Sequence, residues 1–136
     1  MEKLAKILLV DDDEATTFLN SRLLNRLAVA EQLLFAHNGE EALQTLEQMC
    51  SESDELVGSL LVLLDVNMPV MNGLQFLDAY QQHPLAQKCP AVIVMLTSST
   101  HSRDLDRIKA SPVAADIITK PLTSDKVQGI LQRHFL

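Results

Sequence analysis

The chain has 136 residues, of which 47% are hydrophobic, and a formal net charge of −7. This length and apolar content fit one folded domain over residues 1–136 and argue against disorder. The acidic balance argues against direct binding to nucleic acid. The lack of long apolar runs argues against a membrane span or secretory signal, so we expect a cytoplasmic protein.

The chain begins with one strand and one helix. Residues 6–10 form a short apolar run typical of a strand. Over residues 14–27, apolar side chains recur at helical spacing, which predicts an amphipathic helix. Its predicted buried face carries Ala15, Phe18, Leu19, Leu23 and Leu27. Asp13 fits the start of this helix, where a carboxylate is favourable.

A second strand and helix follow. Residues 32–36 predict a strand, and Asn38 is the expected N-cap of a helix over residues 39–49. The polar, acidic residues 51–58 have no periodicity and predict a loop.

Three more alternations complete the pattern. Strands are predicted over residues 59–64, 91–96 and 116–119, and helices over residues 74–82, 102–110 and 123–135. The first two of these strands are apolar on both faces, which is typical of the centre of a parallel sheet. Five β/α units predict an α/β fold, a flavodoxin-like doubly wound parallel sheet of strand order 2-1-3-4-5 with helices on both faces.

The two cysteines, Cys50 and Cys89, lack the spacing of metal ligands. A cytoplasmic chain favours reduced thiols, so we predict that these two cysteines do not form a disulfide.

Polar side chains stand where four of the predicted strands end. In chain order they are Asp11 and Asp12, then Asp65 and Asn67, then Thr97, then Lys120. The carboxyl ends of parallel strands meet at the edge where such sheets bind ligands. Each residue alone is compatible with a cap, a loop acid or a surface lysine. Their joint placement predicts a functional site.

The chemistry of this set favours phosphoryl transfer assisted by a metal ion. Crowded carboxylates repel one another, and a hard cation with oxygen ligands, Mg²⁺, removes that repulsion. Zinc would require His or Cys at these strand ends. The Thr97 hydroxyl, the Lys120 ammonium and a cation would stabilise the oxygens of a phosphoryl group carried on a carboxylate nucleophile.

Four segments resemble the receiver domain of two-component response regulators, in particular the stand-alone, chemotaxis-regulator-like receivers. They are VDDD at 10–13, LLDVNMPVMNG at 63–73, MLTSS at 95–99 and ITKPL at 118–122. The resemblance covers essentially the whole chain, and the D-x-N-M-P-x-M-N-G segment is highly specific.

The resemblance implies a phosphoacceptor at Asp65. It also implies that Mg²⁺ is bound by Asp11, Asp12, Asp65 and the backbone carbonyl of Asn67. The phosphoryl group would accept a hydrogen bond from Thr97 and pair with Lys120.

Further features of the family concern switching. The bond between Lys120 and Pro121 is often cis, and the positions of Asn67 and Ser99 tune how fast water reaches the acyl phosphate. One departure is Ile117, because the family usually has Tyr or Phe there, three residues before the lysine. An aliphatic side chain has no ring to swing inward, so switching is expected to be smaller or to use the loop backbones.

The expected partners are a histidine kinase or a histidine phosphotransfer protein, and an unidentified downstream protein that contacts the last two helices and the fifth strand. The chain would act as a monomer or weak homodimer, and as a signalling domain rather than an enzyme. One alternative is an Mg²⁺-dependent phosphatase with an aspartyl nucleophile, although Asn67 replaces the second acid such enzymes use. The other is a receiver-like binding module that is never phosphorylated.

Overall fold

A computed structural model describes residues 3–52, 59–98 and 102–135. The strands are β1 Leu4–Val10, β2 Ala30–Ala36, β3 Leu60–Asp65, β4 Val92–Thr97 and β5 Ala114–Thr119. The helices are α1 Glu14–Leu27, α2 Gly39–Glu52, α3 Gly73–Gln82, α4 Leu85–Lys88, α5 Ser102–Ala110 and α6 Ser124–His134. Strands and helices alternate along the chain, except that α4 follows α3 directly.

The five strands form one parallel sheet in the order β2-β1-β3-β4-β5, which confirms the predicted topology. At the carboxyl edge, Asp65 of β3 is level with Leu96 of β4, and Thr97 of β4 is level with Thr119 of β5. The register therefore brings the polar residues that end these strands to one edge of the sheet.

Two apolar cores cover the two faces of the sheet, as the predicted helices on both faces require. Successive strand residues alternate between them, because side chains of a strand point to opposite faces. One core joins the sheet to α2, α3 and α5, and its helical residues include Ala42, Leu46, Met49, Phe76, Leu77, Tyr80 and Ile108. The other joins the sheet to α1 and α6, with Leu24, Val127, Ile130 and Leu131. All six residues of β3 are buried, as expected of a central strand.

Side-chain caps begin helices α1, α2, α3 and α6. The Asp13 carboxylate accepts a hydrogen bond from the backbone of α1, and the Asn38 amide oxygen accepts one from that of α2. Both caps were predicted from the sequence. Asn72 and Gln75 form a reciprocal capping box at α3, and Thr123 caps α6.

The buried face of α1 differs from the predicted one. Phe18 and Leu19 are 58% and 64% exposed, whereas Leu24 is 1% exposed. Leu23 and Leu27 are half-buried beside Leu24. The apolar residues of this helix form two overlapping stripes, so periodicity alone did not distinguish the stripe that meets the sheet from the one that faces solvent.

Helix α2 is longer than predicted, because Ser51 and Glu52 continue the helix instead of starting a loop. The remainder of the predicted loop, residues 53–58, lies outside the described residues. Helix α4 was not predicted, since four residues are too few to show a period. No helix in the described ranges is long and apolar enough to cross a membrane.

A disulfide joins Cys50 in α2 to Cys89 after α4, so the prediction of two reduced thiols is wrong. The chain turns after α3 into α4, and Leu85 of α4 packs in the same core as Met49 of α2. This packing brings the cysteines together across a sequence separation of 39. That contact is tertiary, and the spacing of the cysteines carries no sign of it.

Asp116 of β5 is held by the end of α6. Its Oδ2 lies 2.9 Å from Arg133 Nε and 3.1 Å from His134 Nε2. Burial alone would raise the Asp116 pKa, but the hydrogen bonds from His134 and Arg133 outweigh burial and lower that pKa.

Replacing Asp116 by Asn should lower the free energy of unfolding at pH 7 by about 1 kcal/mol. The pKa of this carboxyl is lower in the folded than in the unfolded chain, so its ionised form stabilises the fold above the usual value of 3.8. That stabilisation is lost as the pH falls through the lowered folded value. Urea unfolding from pH 7 to about pH 3 should show the difference from wild type shrinking, with exposed Asp106→Asn as the control. A difference that stays constant over this range would contradict the assignment.

Candidate functional site

One lysine connects two buried acids at the carboxyl edge of the sheet. The Lys120 Nζ lies 3.2 Å from Asp65 Oδ1 and 3.3 Å from Asp11 Oδ2. Asp11 follows β1, Asp65 ends β3, and Lys120 follows β5. The acids are 6% and 7% exposed. Three strand ends therefore bring together three of the residues that the sequence singled out.

Asp12 completes an acidic cluster with these two residues. Carboxylate oxygens of Asp11, Asp12 and Asp65 all lie within 4.8 Å of one another. Asp12 is exposed, so the cluster reaches solvent on its side. Within the described ranges no His or Cys belongs to this cluster. An all-oxygen donor set fits a hard cation such as Mg²⁺.

Burial and the charges of this cluster together shift two pKa values. Burial is the main cause that raises the Asp65 pKa, and repulsion by Asp11 adds to it. The Lys120 ammonium and the backbone N–H of Asn67 oppose that rise. Burial also disfavours the charged form of Lys120, but the nearby Asp65 and Asp11 outweigh it and raise the Lys120 pKa. The site is therefore short of positive charge, and a bound cation would offset the repulsion.

Thr97 lies between the acids and the lysine strand. It is buried at the end of β4, and its backbone carbonyl accepts a hydrogen bond from the Lys120 N–H at 2.9 Å. This hydrogen bond fixes the backbone of Lys120 against the backbone of Thr97. Ser99, which the family resemblance marked as a tuning position, lies outside the described residues.

Gly73 allows α3 to begin directly against the end of β3. A Cβ at this position would lie 2.6 Å from the Asp65 carbonyl oxygen and 2.9 Å from Met95 Cε, so any larger residue would displace the strand end. The Gly73 N–H donates to the Val66 carbonyl at 2.8 Å. The sequence motif alone does not show this role, because it depends on the contact between α3 and the end of β3. The residue supports the position of Asp65 without touching its carboxylate.

Three other positions bear on the site. The Lys120–Pro121 peptide bond is cis, as the family resemblance implied. Asn67 is exposed, and its backbone N–H donates a hydrogen bond to the Asp65 carboxylate. Ile117 packs at the edge of the core that contains α2, α3 and α5, and its N–H donates to Asp116 Oδ1 at 2.8 Å.

The comparisons with known proteins agree with this geometry. The family model of the response regulator receiver domain matches residues 7–132. The chain belongs to this family, and receiver domains are signalling domains. A probable chemotaxis protein CheY of Rhizobium etli is 29% identical over 130 residues, which cover 96% of this chain and 92% of that protein.

One further sequence relative and one solved structure are also similar to this chain. The transcriptional regulatory protein CpxR of Escherichia coli K12 is 34% identical over 94% of this chain, but the match spans only 50% of CpxR. The crystal structure of a two component response regulator from Cytophaga hutchinsonii superposes with a TM-score of 0.84 at 26% identity, covering 97% of both chains. The chain is therefore a CheY-like receiver in both sequence and fold.

The loop after β3 contains a strained residue that sequence analysis missed. Val70 has a φ of 66° and is 74% exposed. A β-branched residue is unfavourable in this left-handed region, whereas Asn tolerates it. The sequence around Val70 gave no sign of a left-handed backbone. Val70 is not a residue type that favours this conformation, and its neighbours Pro69 and Met71 belong to the family motif.

Replacing Val70 by Asn should raise the free energy of unfolding by about 1 kcal/mol, because it relieves this strain without removing a buried contact. Val70→Ala keeps a Cβ but removes the branch, so it should raise the free energy of unfolding by less than Val70→Asn does. Chemical denaturation of the three proteins measures the order. A Val70→Asn protein no more stable than wild type would contradict a left-handed backbone at this position.

Proposed function

We propose that Asp65 is a phosphoacceptor that receives a phosphoryl group, in an Mg²⁺-dependent reaction, from a histidine kinase or a histidine phosphotransfer protein in the cytoplasm. The observation that carries the proposal is the Lys120 ammonium bridging Asp65 and Asp11 beside the exposed Asp12. In this reading residues 1–136 act as one receiver domain, supported by the single sheet and the family match over residues 7–132.

Asp65 supplies the nucleophile. One of its carboxylate oxygens attacks the phosphorus of a phosphohistidine, an O–P bond forms, and the N–P bond breaks with its electron pair leaving on the imidazole. Burial and Asp11 disfavour the ionised Asp65, while Lys120 and the Asn67 amide favour it. The net effect is a raised Asp65 pKa, and these two donors limit that rise by favouring the ionised form that can attack.

The rest of the set stabilises the transferred group. Asp11, Asp12, Asp65 and the Asn67 carbonyl would hold a magnesium ion, which when bound offsets charge on the phosphoryl oxygens. The Thr97 hydroxyl would donate a hydrogen bond to one of those oxygens. Lys120 keeps its contact with Asp11 and pairs with the new phosphoryl group, because its ammonium already lies 3.2 Å from Asp65.

The phosphorylated form signals through protein contacts. We place the output surface on α5, β5 and α6, where Ile117 stands at the position that is aromatic in most of the family. Ile117 is half-buried, and its backbone is tied through Asp116 to Arg133 of α6. A shift of this backbone would move β5 and α6 together without a swinging ring. A downstream protein would bind the shifted surface. This chain would present that surface either as a monomer or as a weak homodimer.

Incubation with Mg²⁺ and acetyl phosphate should produce a phosphoprotein that is stable in acid and labile in base. Asp65→Asn should abolish it and chelation of the metal should prevent it. Asp13→Asn should retain it, because Asp13 is an exposed helix cap. Phosphate incorporation is measured by intact mass. Labelling that survives Asp65→Asn would contradict the proposal, and sustained hydrolysis of unrelated phosphate esters would indicate a phosphatase instead.

Replacing Lys120 by Ala should slow phosphorylation by about 100-fold or more, the loss typical of removing one preorganised charge. Lys109→Ala, on the exposed side of α5, is the matched control and should leave the rate unchanged. Initial rates of phosphate incorporation measure both, with circular dichroism to confirm folding. Equal rates of phosphate incorporation for the two variants would show that Lys120 does not contribute to phosphoryl transfer.

A further inference from the structure

A groove at the far end of α2 from the acidic site contains the disulfide between Cys50 and Cys89. It measures about 330 Å³ and is lined by Glu47, Cys50, Ser51, Leu85, Lys88 and Cys89. Helix α2 begins beside the loop after β3, where the Gly39 N–H donates to the Met71 carbonyl, and ends at this groove. The disulfide is thus a second chemically reactive group, separated from Asp65 by the length of a helix.

The two sulfur-bearing residues differ in accessibility. Cys89 is 5% exposed, whereas Cys50 is half-buried on the helix surface that borders the groove. The exposed Lys88 also lines the groove and provides a positive charge that attracts a thiolate. An incoming thiolate therefore meets Cys50 first, and Cys89 is the leaving group.

We propose that Cys50 and Cys89 form a site of reversible thiol–disulfide exchange with small cytoplasmic thiols of the glutathione class. A thiolate attacks the Cys50 sulfur, a mixed disulfide forms there, and the old S–S bond breaks with its electron pair on Cys89. A second thiolate attacks the sulfur of the first reagent and releases Cys50. Two small thiols are oxidised to one disulfide, and their two protons pass to the two cysteines.

The surrounding contacts allow both oxidation states to be folded. His83 Nε2 lies 2.8 Å from Glu47 Oε1, and the Leu85 N–H donates to His83 Nδ1 at 3.1 Å. These bonds tie the α3–α4 turn to α2 without the disulfide. The Tyr80 hydroxyl accepts a hydrogen bond from Ala91 just before β4. Reduction therefore loosens this corner while the fold and the acidic edge remain.

Exchange in the folded protein is measured by adding reduced glutathione to the oxidised chain, trapping free thiols by alkylation and recording intact mass. The rate should rise linearly with glutathione and exceed the rate of global unfolding, measured by pulse proteolysis, by at least tenfold. A rate that levels off at the unfolding rate would overturn the proposal, because the disulfide would then be sealed inside the fold.

Single-cysteine variants test which sulfur is attacked. With oxidised glutathione, Cys89→Ser should form a mixed disulfide on Cys50 at least tenfold faster than Cys50→Ser forms one on Cys89. Equal rates would contradict the assigned order. The proposal rests on the proposed function only for its compartment, so failure of Asp65 phosphorylation would leave a measured exchange standing. The reduced chain should keep at least half of its phosphorylation rate, and loss of phosphorylation on reduction would overturn the separation of the two sites.

Discussion

The Lys120 ammonium shared between Asp65 and Asp11 is the interaction on which the rest of the site depends. Two buried carboxylates at the ends of neighbouring strands repel each other, and the ammonium of the lysine that follows β5 offsets this repulsion by contacting both. The strand order makes this possible, since β1 and β3 are adjacent and β4 separates β3 from β5. Thr97 ends β4, the strand between those that lead to Asp65 and Lys120.

The sequence could predict the sheet and its acidic edge because both follow from short-range patterns. Strand ends are visible as polar residues after apolar runs, and parallel topology gathers those ends. Three features could not be predicted in the same way: which side of α1 is buried, the disulfide, and the left-handed backbone of Val70. Helix α1 carries two apolar stripes, and periodicity does not show which one is buried, so the exposure of Phe18 was not predicted. Cys50 contacts Cys89 only through packing between segments that are distant in sequence.

Ile117 bears on how the proposed signal would be transmitted, and it does not bear on how the phosphoryl group would be received. The proposed acceptor chemistry would use residues at the ends of β1, β3, β4 and β5, whereas Asp116 and Arg133 connect β5 to α6. An aliphatic side chain at the edge of the core moves with its backbone. In the proposed mechanism, a change at the Thr97 end of β4 would reach the surface through the hydrogen-bonded β4–β5 pair.

The most direct test of the central claim is to locate the phosphoryl group by chemistry. Borohydride reduces an acyl phosphate to an alcohol, so an aspartyl phosphate becomes homoserine, which peptide mass mapping can assign to one position. After phosphorylation with acetyl phosphate and Mg²⁺, we expect homoserine at position 65 alone. Homoserine at position 11, 12 or 13, or none at all, would contradict it.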